Sequence, residues 1–315
     1  MTEKTTRQIE SIKNDYNFGV EVEMNHITRQ KAAKVAADFF GTGRYENTAY
    51  RNGYMTWSAF SEDGREWKFS RDVSIAGPDD EKCELVTPIL GYDDIPTLQE
   101  LLRQLRHKGA VSNPSVGAGV HIHVSRKGGF TVQEVKNLVN IMAAHESQIG
   151  RAIRIDEGRT GHYCKVVDHR FLDRLNRQKP KTMAKLADCW YEGNGARYGR
   201  TEHYNDSRYH MVNLHAFFSK GTIEFRLFNS TLHAGKIKAY IQLCLALSAW
   251  SITSKDKLIF RSMADYTPAK KVTIMRNILL RRLGLTGEEF ETCRHHLMAP
   301  LKKAAGMNTR DSEAA

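Results

Sequence analysis

The chain has 315 residues, 41% hydrophobic and 26% charged, with a formal net charge of +11. That is enough apolar material for one large domain or two smaller ones, and no run of about 18 apolar residues is present to span a bilayer. Five scattered cysteines (Cys83, Cys164, Cys189, Cys244, Cys293), none in a CxxC pair, argue against a disulfide framework and a structural zinc site. The first residues, MTEKTTRQIESIKNDYNF, hold no apolar signal region, so the cytoplasm is the expected compartment. Lysine and arginine are spread along the whole chain, which weakens a nucleic-acid reading of the positive charge.

In chain order, residues 1–16 are polar and read as a disordered tail. Phe18–Met24 alternates apolar and polar as a strand does. Thr28 reads as the N-cap of a helix running to Phe40 and stopping at Gly41. Tyr54–Phe60 and Glu66–Ile75 have strand character, with Glu62-Asp63-Gly64 as the turn between them. Cys83–Val86 is a short strand ended by Pro88. Asp94 and Pro96 open a helix over Thr97–His107, closed by Gly109. Ala118–Ser125 is a strand, and Thr131 with Glu134 forms a capping box for a helix to about Arg151. Tyr209–Phe217 and Thr222–Asn229 flank Ser219-Lys220-Gly221 as a hairpin. Gly235–Ile252 is an apolar helix, and two more helices follow, the second opened by Thr286 and Glu289. Hairpin-paired strands with helices between and after them predict an α+β domain on an antiparallel sheet. Its expected span is 17–255, with a helical extension over 256–303 and a second disordered tail over 304–315.

Four strands carry groups that can bind metals or phosphates, and a fifth carries a weaker candidate. Glu21 and Glu23 lie on one strand face, roughly 6–7 Å apart, and two carboxylates at that spacing can hold hard cations. The plain alternative is an amphipathic strand with its polar face in water. His121 and His123 share a face of Ala118–Ser125, and adjacent imidazoles suggest a metal or phosphate nearby; the alternative is two surface histidines. Glu224 and Arg226 share a face of Thr222–Asn229, where they can hold a metal and a phosphate oxygen together or form an ordinary ion pair. Glu84 ends an apolar strand, at the rim of a site or of nothing. Asp72 and Ser74 share a face of Trp67–Ile75, which by itself reads as a solvated strand edge. Jointly these groups can line one concave sheet surface, and an oxygen-rich set suits magnesium or manganese better than zinc.

The ordered segments Phe18-Gly19-Val20-Glu21-Val22-Glu23, Asp72-Val73-Ser74, Glu84-Leu85-Val86-Thr87-Pro88, Gly119-Val120-His121-Ile122-His123 and Glu224-Phe225-Arg226 resemble the amidoligase family. That family belongs with the glutamine synthetase-like carboxylate–amine ligases, and the resemblance covers roughly Phe18 to Ile252. It implies a curved antiparallel sheet forming a funnel, with ATP at one end and two Mg2+ or Mn2+ ions between its phosphates and an acceptor carboxylate. By motif, Glu21, His121 and Glu224 would hold the phosphate-bridging ion. Glu23 and Glu84 would hold the ion near the acceptor, Arg226 would contact the transferring phosphoryl group, and His123 would lie near the nucleotide. Asp72 and Ser74 are carried over despite Val73, where the family has glycine. The segment 151–204, with Arg154, Arg159 and Tyr163, and Arg208 just after it, is read as acceptor recognition.

The implied reaction phosphorylates a carboxylate and lets an amine displace phosphate. The acceptor and amine are open, and a protein or nucleic-acid substrate fits as well as a small molecule. Two rival readings stand beside it. One is a metal-dependent hydrolase on the His121/His123 pair, with His210 or His215 as a further ligand. The other is a basic nucleic-acid-binding protein without catalysis.

Overall fold

The computed structural model describes residues 3–51, 53–113, 115, 117–194, 199–254 and 266–309. Its strands are β1 (Tyr16–Asn25), β2 (Tyr45–Asn47), β3 (Trp57–Phe60), β4 (Glu66–Ser70), β5 (Cys83–Val86), β6 (Val111–Ser112), β7 (Gly119–Arg126), β8 (Val212–Asn213) and β9 (Ile223–Asn229). Its helices are α1 (Glu3–Asn14), α2 (Arg29–Phe39), α3 (Ile95–His107), α4 (Val132–Ile153), α5 (Glu157–His162), α6 (His169–Gln178), α7 (Met183–Gly193), α8 (His215–Lys220), α9 (Ala234–Thr253), α10 (Pro268–Asn277) and α11 (Glu291–Ala304). The mixture of helices with antiparallel strand pairs is α+β. No helix of the described residues is long and apolar enough to cross a membrane.

The chain divides into two compact units. One comprises Asn17–Ile122 and Phe228–Lys238; the other comprises Met1–Tyr16, His123–Leu227 and Ala239–Ala315. The divisions fall inside β1, β7, β9 and α9. The expected boundary at 255–256 lies outside the described residues.

In the Asn17–Ile122 unit the strand order is β2-β3-β4-β5-β1-β7, with β6 also on β1. The alternation of β1 works as the sequence predicts. Phe18, Val20, Val22 and Met24 are at most 2% exposed, joined in the core by Trp67, Phe69, Leu85, Val120 and Ile122. Helix α2 packs on β3, β4 and α3, burying Ala32, Ala33 and Ala36. Small side chains there let the helix sit close to the sheet. Thr28 caps α2 by accepting from the Lys31 amide.

Two strand expectations are corrected here. β3 begins only at Trp57, because Met55 adopts φ +50°, outside the strand region. β4 ends at Ser70, and Asp72 and Ser74 stand in the turn beyond it. The Asp72 carboxylate accepts from the Ser74 amide at 2.7 Å and from the Ser74 hydroxyl at 2.6 Å. Such side-chain-to-backbone bonds compete with the strand ladder. Val73 adopts no positive φ and is 70% exposed, so this turn has no need of the family's glycine.

In the other unit β9 lies between β7 and β8. α11 packs on α4 and α10, and α6 packs on α7. The Thr131–Glu134 capping box opens α4. Residues 3–14, read from sequence as a disordered tail, form α1. Its polar composition hides a narrow buried stripe: Ile12 is fully buried and Gln8 donates to the Arg282 carbonyl. The predicted hairpin is replaced by β8, the short helix α8 and β9. Asn213 Oδ1 accepts from the His215 amide at 2.8 Å and turns the chain into α8, whose end is closed by Gly221 at φ +76°.

Two stability predictions arise in this unit. A Cβ on Gly193 would stand 2.5 Å from the Phe171 Cα, so α6 and α7 meet through a position only glycine fits. Gly193→Ala will cost about 1–3 kcal/mol by overpacking, read as a lower urea midpoint at unchanged slope.

Glu146 is buried in α4 and accepts from the Val167 amide at 2.9 Å. Burial pushes its carboxyl up to about 8. The folded protein therefore keeps a proton that the unfolded chain releases near pH 4.5, and stability falls as pH rises between those values. Glu146→Gln removes this loss. The variant will be on the order of 4–5 kcal/mol more stable than the parent above pH 8, with the difference closing toward pH 4.5. Denaturant unfolding at several pH values measures it.

Candidate functional site

The site residues of the Asn17–Ile122 unit come together through register. β1 and β5 pair so that Glu23 stands directly opposite Glu84 and Glu21 opposite Val86. Like charges placed directly opposite destabilise a sheet unless something offsets them. The apolar residues of β1 claim the core face, which leaves Glu21 and Glu23 together on the other.

Glu23 is 1% exposed, and its Oε2 accepts from the Gly119 amide at 2.7 Å. His121 sits between the two β1 carboxylates. Its Nδ1 is 2.9 Å from Glu21 Oε2 and its Nε2 is 3.9 Å from Glu23 Oε1. The Ser230 hydroxyl donates to the Glu23 carbonyl at 2.7 Å, fixing the β1 backbone at this point.

Two groups of side chains here could each hold a metal ion: Glu21, Glu84 and His121, and Glu23, Asp72 and Glu84. Within each group the ligand atoms lie within 4.8 Å of one another. Glu84 belongs to both. Asp72 thus reaches the cluster from a turn rather than from the predicted strand face, and Ser74 meets it only through its bonds to Asp72. Four carboxylates and one imidazole are hard, oxygen-rich ligands, a set that fits Mg2+ or Mn2+.

The other unit brings together Glu224 and Arg226. Both are about 5% exposed, and Arg226 Nη1 donates to Glu224 Oε1 at 2.5 Å. Glu224 Oε2 accepts from Asn213 Nδ2 at 2.6 Å, because β8 and β9 pair Asn213 with Glu224. This is a buried, hydrogen-bonded ion pair rather than a surface one. Arg159, only 1% exposed, donates to the Arg226 carbonyl at 3.1 Å, so it supports β9 and does not face solvent. His123 Nδ1 is 3.1 Å from the Thr222 hydroxyl. Asn213 and Thr222 were not singled out from sequence. Only the β8–β9 register could have found Asn213.

His210 and His215 are held elsewhere. His210 Nδ1 donates to the Ser207 carbonyl, and His215 Nδ1 is 2.8 Å from the Tyr191 hydroxyl. Among the described residues, neither joins a metal-holding group.

Overlapping carboxylate clusters on strands and a turn, and a buried acid–arginine pair, are the kinds of group that enzyme sites use. A family model described as "Putative amidoligase enzyme" matches residues 14–248, and the chain belongs to that family. The family's description points to an enzyme that forms amide bonds. No curated protein matches the chain.

Proposed function

We propose that the protein uses ATP to join a carboxylate to an amine through an acyl phosphate. The observation that carries this reading is Glu84, shared by two metal-holding groups made almost wholly of carboxylates. Such a cluster is poorly suited to binding anionic substrates unaided and well suited to binding them with cations.

In the proposed reaction a carboxylate oxygen attacks the γ-phosphorus of ATP and the bond to the β-bridging oxygen breaks, releasing ADP. The amine nitrogen then attacks the acyl carbon, the C–O bond to phosphate breaks, and the departing phosphate takes the amine's proton. Glu21, Glu84 and His121 would hold one ion, and Glu23, Asp72 and Glu84 a second. Bound there, the cations supply charge neutralisation for triphosphate and carboxylate oxygens. The chain's own part is positioning. Gly119 and Ser230 fix Glu23, Asn213 and Glu224 orient Arg226, and the Arg226 guanidinium contacts the transferring phosphoryl oxygens. His123 lies toward the nucleotide. The full set of proposed site residues is Glu21, Glu23, Asp72, Ser74, Glu84, His121, His123, Glu224 and Arg226.

Metal and nucleotide binding will then depend on each other. Mg-ATP will raise the melting temperature, while ATP with a chelator will not. Equal stabilisation under both conditions would remove the two-metal site. Release of ADP, screened with magnesium over a panel of carboxylates paired with amines, tests the reaction itself.

A further inference from the structure

Residues 162–170, 194 and 206–210 supply the walls of a cavity of about 430 Å3, inside one unit of the chain. Its walls include Lys165, Asp168, Arg170, Asp206, Tyr209 and His210. The volume is in the range that small-molecule ligands fill.

The charges on these walls are not equivalent. Asp168 is already engaged: it caps α6 through the amides of Arg170 and Phe171, and its Oδ2 takes the Arg170 guanidinium at 3.4 Å. Asp168 and Arg170 therefore offset each other. Lys165 and Asp206 differ. Among the described residues, neither side chain forms an ion pair or hydrogen bond, and both reach solvent, so a cation and an anion are open to a ligand.

His210 adds a fixed acceptor. It is 7% exposed, and its Nδ1 lies 2.9 Å from the Ser207 carbonyl oxygen, which can only accept. The proton is therefore on Nδ1. Burial holds the ring below the usual histidine range, so it is neutral at physiological pH and Nε2 presents a lone pair. Trp190 packs edge-on to the ring and donates to the Ser207 hydroxyl at 2.9 Å, beside the carbonyl that holds His210 Nδ1.

We propose that this cavity binds an amino acid as its zwitterion, the ammonium on Asp206 and His210 Nε2 and the carboxylate on Lys165. A simple anion would leave Asp206 and the lone pair unsatisfied, and a simple cation would leave Lys165 so. The cavity also adjoins the proposed chemistry. Tyr209 forms part of its wall, and the Arg226 guanidinium lies over the same ring, 5.8 Å from its centroid. Assigning the bound amino acid as a substrate rests on the ligase reading; its binding does not.

The test uses the whole protein without nucleotide or metal. The proteinogenic L-amino acids are titrated singly by calorimetry, and the tightest is compared with its N-acetyl derivative and its decarboxylated amine. Both derivatives will bind about ten- to hundredfold more weakly, the value of one charge-assisted contact. Asp206→Asn will weaken the parent amino acid by a similar factor and leave the N-acetyl derivative unchanged. Lys165→Gln will do the same with respect to the amine. Both side chains reach solvent, so folding should survive either change. No binding by any amino acid, an N-acetyl derivative that binds as well as its parent, or full binding by Asp206→Asn would overturn the proposal. Amino-acid binding with no ADP release when Mg-ATP and a panel of partner carboxylates and amines are added would instead sink the ligase reading and leave this site standing.

Discussion

Glu84→Gln will raise the melting temperature of the metal-free protein and abolish its response to magnesium. The two effects have opposite signs and one cause. Glu84 stands across from Glu23 in the β1–β5 register and within 4.8 Å of carboxylate atoms of Glu21, Glu23 and Asp72. Two like charges at that separation repel by roughly 3 kcal/mol at an effective dielectric of about 20. Removing the shared charge relieves several such terms with little change in shape, so the metal-free fold gains a few degrees. The same change takes a ligand from both metal-holding groups at once. ADP formation should therefore fall by about 10²–10³-fold, the range for deleting one preorganised electrostatic group. Glu21→Gln leaves the group of Glu23, Asp72 and Glu84 complete and should keep part of the magnesium response. Melting curves with and without magnesium check both variants. A Glu84→Gln protein that is less stable without metal would mean the carboxylate is held by hydrogen bonds rather than poised for a cation.

Arg226→Lys will lose nearly as much activity as Arg226→Ala while folding far better. The role assigned to Arg226 needs a planar fork reaching two phosphoryl oxygens, and lysine offers a point charge at a different reach. Stability follows another rule. Glu224 is buried beside Arg226 and also bound by Asn213. Arg226→Ala strands that carboxylate in the interior, a loss of about 3–5 kcal/mol. Lysine keeps a positive charge there and should cost much less. Steady-state kinetics and urea unfolding on the two variants separate the effects. A drop mainly in kcat for the lysine variant would show that the contact matters most at the transition state. Near-normal kcat would reduce Arg226 to a structural partner of Glu224.

The amino-acid sequence by itself determined which side chains could share a face. Alternation along Phe18–Met24, Gly119–Val124 and Ile223–Phe228 put the apolar residues inward, and that alone aligned Glu21 with Glu23 and Glu224 with Arg226. A strand has a period of two, so burying one face dictates the other. The ordered motifs were enough for the family, and local capping chemistry was enough to start α2 and α4. Tertiary structure decided the rest. Whether Glu84 was a rim residue or the hub of two clusters depended on β1–β5 register, which no local pattern encodes. Asp72 reached the cluster from a turn, since its own bonds to Ser74 outcompeted the strand ladder. The predicted hairpin became α8 because one asparagine both turns the chain, by accepting from the His215 amide, and holds Glu224 across a strand. A polar N-terminal segment became a helix because Ile12 could be buried and Gln8 found a carbonyl far along the chain. The cavity of Lys165, Asp206 and His210 had no sequence signature, since its charges gain meaning only from which neighbours leave them uncompensated.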